Sequence, residues 1–181
     1  LSGQPLYEIL QIPANGDRAY SSSGAEIPQS IADRAGLIPD MLLILAGGDP
    51  ISFKDPALFQ WLNSLDRHGC LMGGVSGGPV ILARAGLMAG YRMTVHWEHA
   101  EALLEIQPDL MLERGLYVRD RNRLTCAGGI APLDMMHALI TGHHGPDFAR
   151  RVSDWYMHTE IRPSGGPQRA GIAEKYHINS P

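Results

Sequence analysis

Chemistry in this 181-residue chain is most concentrated at Gly74-Val75-Ser76-Gly77-Gly78, a G-x-S-x-G pattern set between an apolar strand-like segment and a helix-like one. A strand-to-helix turn of that kind exposes its central side chain. Its glycines tolerate the crowded backbone, and the free N–H groups opening the helix, with the helix dipole, favour an anion or oxyanion. Taken alone, the pattern fits a plain packing turn as well as a functional one. A serine hydroxyl also needs a base before it can act as a nucleophile near neutral pH. His96 is the best-placed candidate: it follows the strand-like Arg92-Met93-Thr94-Val95, and in a parallel sheet it should emerge on the carboxyl edge beside Ser76 and Gly48, where α/β proteins bind ligands. The expected ligand-binding residues are therefore Gly48, Asp49, Ser76, Gly77, Gly78, His96, Trp97 and Glu98. Ser76 and His96 are the pair that a serine hydrolase or amidase would use.

His96 and His99 stand three residues apart with Glu98 between them, a spacing that invites comparison with a metal site. No cysteine or third histidine is placed nearby by the sequence and Trp97 intrudes, so no metal and no cofactor is expected. His143-His144 falls at a helix end between glycines, where histidines interact with the dipole as a C-terminal cap.

The elements that must position these residues are legible from periodicity. Leu6 to Pro13 alternates as a half-buried strand does, and Ser21-Ser22-Ser23-Gly24 is loop chemistry. Asp40 to Ala46 reads as a central parallel strand running into Gly47-Gly48-Asp49. Asp55 then caps a helix with proline at its first position, and Leu58, Phe59, Leu62 and Leu65 carry it towards Gly69. Cys70 to Val75 is a second strand and Pro79 to Ala85 a second helix, closed by Gly86. Downstream, Arg92 to Val95 is a strand, His99 to Ile106 a helix, and Leu116-Tyr117-Val118 with Leu124-Thr125-Cys126 a hairpin. Pro132 to Ile140 is expected as a helix with Leu133, Met136 and Ile140 on one face, and Pro146 to Ile161 as a final amphipathic helix. Strands alternating with helices imply an α/β, doubly wound, mostly parallel sheet flanked by helices. Residues 1–162 are expected to form one domain and residues 163–181, rich in turn formers, a linker.

Composition narrows the classes of function. The formal net charge is −4 and the only lysines are Lys54 and Lys175, a poor electrostatic footprint for nucleic acid. Arg119, Arg121 and Arg123 read as a solvated hairpin around Asp120 and Asn122. The longest apolar stretch is far too short to span a bilayer, and the first residues lack the basic start and apolar run of a secretory signal. Cys70 and Cys126 lie in apolar strand-like segments as buried thiols, which fits a reducing cytoplasm.

Several segments together carry a family resemblance: Ala83-Arg84-Ala85-Gly86-Leu87 with Gly90-Tyr91-Arg92, Thr94-Val95-His96-Trp97-Glu98, Asp120 to Leu124 leading into Thr125-Cys126-Ala127-Gly128-Gly129, Leu133-Asp134-Met135-Met136, and Arg151-Val152-Ser153-Asp154-Trp155. In these the chain resembles the sensor domain of AraC-type transcriptional regulators of the GlxA-like branch, within the class I glutamine amidotransferase-like (PfpI-like) superfamily. The resemblance implies an amidotransferase-like, flavodoxin-like architecture lacking the family's first strand and helix, with the acidic residue that the helix bears. It also implies a pocket that binds a metabolite such as an amino acid or methylated amine, and DNA binding only through a helix-turn-helix domain beyond Glu174-Lys175-Tyr176-His177. The elbow of that superfamily usually holds cysteine; Ser76 moves the balance towards binding and away from catalysis. A homodimer is expected, with part of the consecutive Trp155, Tyr156 and Met157 turned towards a partner.

Overall fold

The computed structural model of the chain describes residues 2–14, 18–21, 23–30 and 34–170. In chain order its elements are β1 (Ala19–Tyr20), β2 (Glu26–Ile27), β3 (Met41–Ala46), α1 (Pro56–Arg67), β4 (Leu71–Ser76), α2 (Gly78–Arg84) and β5 (Arg92–Met93). They continue with α3 (Trp97–Ile106), β6 (Met111–Leu112), β7 (Tyr117–Asp120), β8 (Arg123–Cys126), α4 (Ala131–His144) and α5 (Pro146–Trp155). The main sheet has the order β3-β4-β8-β7, parallel between β3, β4 and β8 and antiparallel in the β7–β8 hairpin. This is the expected α/β sheet flanked by helices.

The period-2 alternation of strands builds its two layers. Leu42, Ile44 and Ala46 of β3 and Met72 of β4 face a cluster formed with Leu58, Leu62 and Leu65 of α1, the buried α2, and Leu103 of α3. Met41, Leu43, Leu71 and Val75 face the opposite cluster, where Leu124 and Cys126 of β8 meet Ala131, Met135 and Leu139 of α4. Local signals set the helix starts: the Asp55 carboxylate accepts the Leu58 N–H at 2.9 Å, and Pro56 occupies the first turn. Both cysteines are free and buried; burial pushes the Cys70 thiol up to about 11 and raises that of Cys126.

Several expectations are corrected. Leu6–Pro13 forms no ladder. No strand lies beside it among the described residues, so its backbone is held by irregular bonds such as Ser30 N–H to the Gln11 carbonyl, and Ile9 is 78% exposed. Among the described residues the apolar β3 is an edge strand of the sheet and not a central one, and its Leu45 is 74% exposed. The strand at Arg92 shrinks to two residues and pairs with β6 outside the main sheet. The helix expected from His99 starts at Trp97, because His96 itself caps it by accepting the Glu98 N–H. Arg119 and Arg121 are exposed as expected, but Arg123 is 2% exposed. It starts an inner strand, where its guanidinium bonds Asp66 at 2.7 Å and the Leu87 carbonyl at 2.8 Å and lies over the Tyr91 ring.

The buried side of α4 is Ala131, Asp134, Met135 and Leu139, one position round from the expected Leu133, Met136 and Ile140, because Asp134 is drawn inside by an ion pair. The final helix stops at Trp155, six residues early. Met157 takes φ 56° and the His158 N–H returns to the Ser153 carbonyl at 2.9 Å, the helix-ending geometry usually given to glycine. Trp155, Tyr156 and Met157 are all exposed.

After Arg162 the chain stays against the domain as far as Arg169. The Ser164 carbonyl accepts the Leu116 and Tyr117 amides, and Gln168 Nε2 donates towards the Val95 and Gly115 carbonyls and Thr94 Oγ1. The Arg169 guanidinium covers the Trp97 ring at 4.3 Å. Glu174 to His177 lie outside the described residues.

Candidate functional site

The elbow is a close-packed object. β4 ends at Ser76 with φ 60°, a left-handed conformation that costs a non-glycine residue of order 1–2 kcal/mol. Glycines let the turn close. A Cβ on Gly78 would lie 1.9 Å from the Ile44 carbonyl oxygen, and one on Gly128 would lie 2.8 Å from the Ser76 Cβ. The Gly77 N–H donates to the Ala46 carbonyl at 2.9 Å, and Gly77 and Gly78 are both buried. The Gly77 amide is therefore taken, and the anion-holding role expected of it is corrected. Replacing Ser76 with glycine should relieve the positive φ and raise stability by about 1 kcal/mol, part of the relief being offset by the entropy glycine loses on folding. Denaturant melts of the two proteins check this; an unchanged midpoint would contradict the strained geometry.

His96 does reach the elbow, although its strand leaves the sheet: its backbone N–H donates to the Ser76 carbonyl at 3.3 Å. Its ring, however, is engaged elsewhere. Nδ1 accepts the Glu98 N–H at 3.3 Å and stands 3.6 Å from the Glu98 carboxylate. Among the described residues no hydrogen bond joins the Ser76 hydroxyl to His96 or to any other side chain. The nucleophile-to-base contact of a serine hydrolase is absent from this arrangement. His99 packs 5.9 Å from His96, and burial with the neighbouring His96 lowers its pKa.

Beside the elbow lies a cavity of about 230 Å³. Its walls come from four places: His96 and Trp97 at the start of α3, Leu116 before β7, residues 127–131 leading into α4, and Arg162 with Gln168 from the segment after α5. Of the eight expected ligand-binding residues, His96 and Trp97 line it. Ser76 sits beneath Gly128, which also lines it. Gly48, Asp49, Gly77, Gly78 and Glu98 are not among its lining residues. Asp49 instead closes a turn on Ser52, whose hydrogen bonds hold its carboxyl below the usual range.

Sequence reasoning missed Arg162 and Gln168, the two most polar contributions from outside the elbow. Arg162 is held by Asp134, which is 0% exposed and accepts the Arg162 backbone N–H at 2.9 Å, its Nε at 2.9 Å and its Nη2 at 2.6 Å, and a bond from His158 Nε2 at 3.1 Å. Gln168 is oriented without ambiguity, because carbonyl oxygens only accept; its Nε2 faces two of them, and Oε1 is buried without a partner among the described residues. The one hint in the sequence was Asp134, an acid among apolar helix residues, with Arg162 and Arg169 beyond the last helix as the arginines that could meet it.

Comparison with known proteins places this geometry in a family. The model of the DJ-1/PfpI family matches residues 14–142. The chain is 42% identical over its whole length to the HTH-type transcriptional regulator GlxA of Rhizobium meliloti, covering 56% of that protein. It is 38% identical over 97% of its length to the HTH-type transcriptional regulator CdhR of Pseudomonas aeruginosa, covering 52%. The chain thus spans about half the length of these regulators. Among solved structures, an AraC family transcriptional regulator from Pseudomonas putida superposes with a TM-score of 0.70 at 29% identity, over 79% of this chain and 77% of the other. A ThiJ/PfpI family protein from Pseudomonas syringae gives 0.73 at 23% identity, over 86% and 65%, and bears on the fold alone.

Proposed function

The chain belongs to the DJ-1/PfpI family, and we propose that it is the small-molecule-sensing domain of a bacterial AraC-type transcriptional regulator, a binding module and not an enzyme. The observation that carries this reading is the elbow itself: a strained serine whose hydroxyl meets no base among the described residues, set beside a half-open cavity. Relatives named as HTH-type regulators along the whole chain support the regulatory output. DNA binding belongs to a separate helix-turn-helix domain, since this chain carries a net charge of −4. The ligand is an amino acid or a methylated amine. The working unit is a homodimer, for which the exposed Trp155, Tyr156 and Met157 offer contact area. The compartment is the cytoplasm; among the described residues no helix is long and apolar enough to cross a membrane.

The test separates sensing from catalysis. Ligands that bind the folded state raise its melting temperature, so a screen of amino acids and methylated amines should produce a thermal shift. Ser76→Ala should change that affinity by no more than about 1.5 kcal/mol, the scale of one hydrogen bond. Mass spectrometry after incubation with amides, esters and a fluorophosphonate should find neither product nor adduct. Turnover or an acyl adduct that vanishes in Ser76→Ala would establish the hydrolase reading in its place.

A further inference from the structure

Resting on that sensor reading, we propose that Arg162 is the residue that selects the ligand, and that what it selects is a carboxylate. The guanidinium is fixed on one side: Nε and Nη2 both bond the same oxygen of the buried Asp134, and the backbone N–H of Arg162 bonds the other. Nη1 makes no hydrogen bond among the described residues. One edge of the planar fork is therefore free, on a residue that lines the cavity and whose side chain is 32% exposed. Such an edge matches the two oxygens of a carboxylate, and holding the guanidinium in advance lowers the entropy lost when the second pair forms.

The rest of the lining agrees. None of its ten residues carries an acidic side chain. A ligand offering only a cation would find no carboxylate there, and the Trp97 ring that could receive it is already covered by Arg169. Asp134 neutralises Arg162, but its own charge is shared with His158, and Ile130 and Ala131 bring to the same cavity the start of α4, which no side chain caps. An entering carboxylate meets donors on that side as well. The ligand's anionic end thus belongs at Arg162 and not at the Ser76 elbow, where the amide of Gly77 is occupied.

The test uses the 181-residue chain labelled uniformly with ¹⁵N, with the Arg162 guanidinium, Trp97 indole and Gln168 side-chain amide resonances as reporters of the cavity. Acetate, butyrate and L-valine are titrated beside acetamide, butyramide and L-valinamide, and a general fragment library is screened in parallel. The Arg162 resonance should move saturably with the acids, with at least about tenfold weaker binding of the matched amides, as expected for loss of a bidentate charge-assisted contact. Arg162→Gln should abolish the preference. Because that variant leaves Asp134 buried without its cation, the double variant Asp134→Asn with Arg162→Gln, which strands no charge, should fold and also lose the preference. Equal binding of acids and amides, a preference that survives in the double variant, or fragments that occupy the cavity while no acid does, would each overturn the role of Arg162 and leave the sensor reading standing. If neither the acids nor any fragment moves the cavity resonances, the sensor reading fails and takes this inference with it.

Discussion

Gly78→Ala is expected to leave little folded protein. The new methyl would be built 1.9 Å from the Ile44 carbonyl oxygen and 2.9 Å from its carbon, and both are backbone atoms of β3. Neither side can give way easily. Ile44 is held in register opposite Gly74 of β4, while a Cβ on Gly74 would itself meet the Pro79 nitrogen at 2.5 Å, so strand and helix already touch at the backbone. α2 is buried along Gly78–Ala83 and has no free space behind it. Overpacking a close-packed core commonly costs 1–3 kcal/mol even where side chains can rearrange; against two backbones the loss should reach about 4 kcal/mol or more, a large share of the roughly 5–15 kcal/mol that keeps a domain folded. Soluble yield and denaturant midpoint measure it. Gly86→Ala is the control, since a Cβ there meets nothing within 4 Å and only the positive φ of 79° resists it, at about 1 kcal/mol. A Gly78→Ala protein as stable as that control would mean that α2 does not pack on β3 as described.

Asp134→Ala should be the most damaging change on the other face. The carboxylate is fully buried and receives four bonds, so removing it strands the Arg162 guanidinium, the Arg162 amide and the His158 ring together. Breaking one side of a buried ion pair costs 3–5 kcal/mol; with the Arg162 side chain 32% exposed, the lower end applies, about 3 kcal/mol, and roughly 2–4 °C of melting temperature for each of those in a domain of this size. Replacing both partners by apolar residues, as in Asp134→Leu with Arg162→Met, should recover part of that loss, because the guanidinium is no longer stranded although the residue-162 amide and the His158 ring still lose their acceptor. A thermal melt of the three proteins decides the matter. If Asp134→Ala melts within about 2 °C of the parent, the pair is not the buried anchor that its geometry describes.

The two losses differ in how visible their causes are in the chain. Gly74, Gly77 and Gly78 announce a tight strand-to-helix turn by type and spacing, and the turn formed where they stand. What spacing does not reveal is which backbone each glycine faces, because Ile44 and Pro50 approach from a separate stretch of chain. Asp134 was readable as an acid within an apolar helix, without its partner. Its burial depends on Arg162, twenty-eight residues on, reaching back after α5 has ended.

What the sequence determined by itself is whatever follows from local rules. The continuous apolar run of β3 and the apolar start of β4 marked both as strands, Asp55-Pro56 began α1, and the order of strands and helices implied a parallel-rich α/β sheet with Ser76 at its carboxyl edge. Each of these rests on a few neighbouring residues whose backbone preference and solvent affinity point the same way. Tertiary structure alone decided the rest. Leu6–Pro13 has the pattern of a strand and, among the described residues, no strand beside it; Arg123 has the charge of a surface residue and is buried, with a half-buried partner in Asp66; His96 has the position of a base and gives its ring to the start of α3. The cavity is the extreme case, since its walls come from four distant stretches of chain and its polar residues, Arg162 and Gln168, lie beyond the last helix. A ladder, an ion pair or a cavity wall needs a partner, and partners distant along the chain leave no periodic trace in the residues that will meet them.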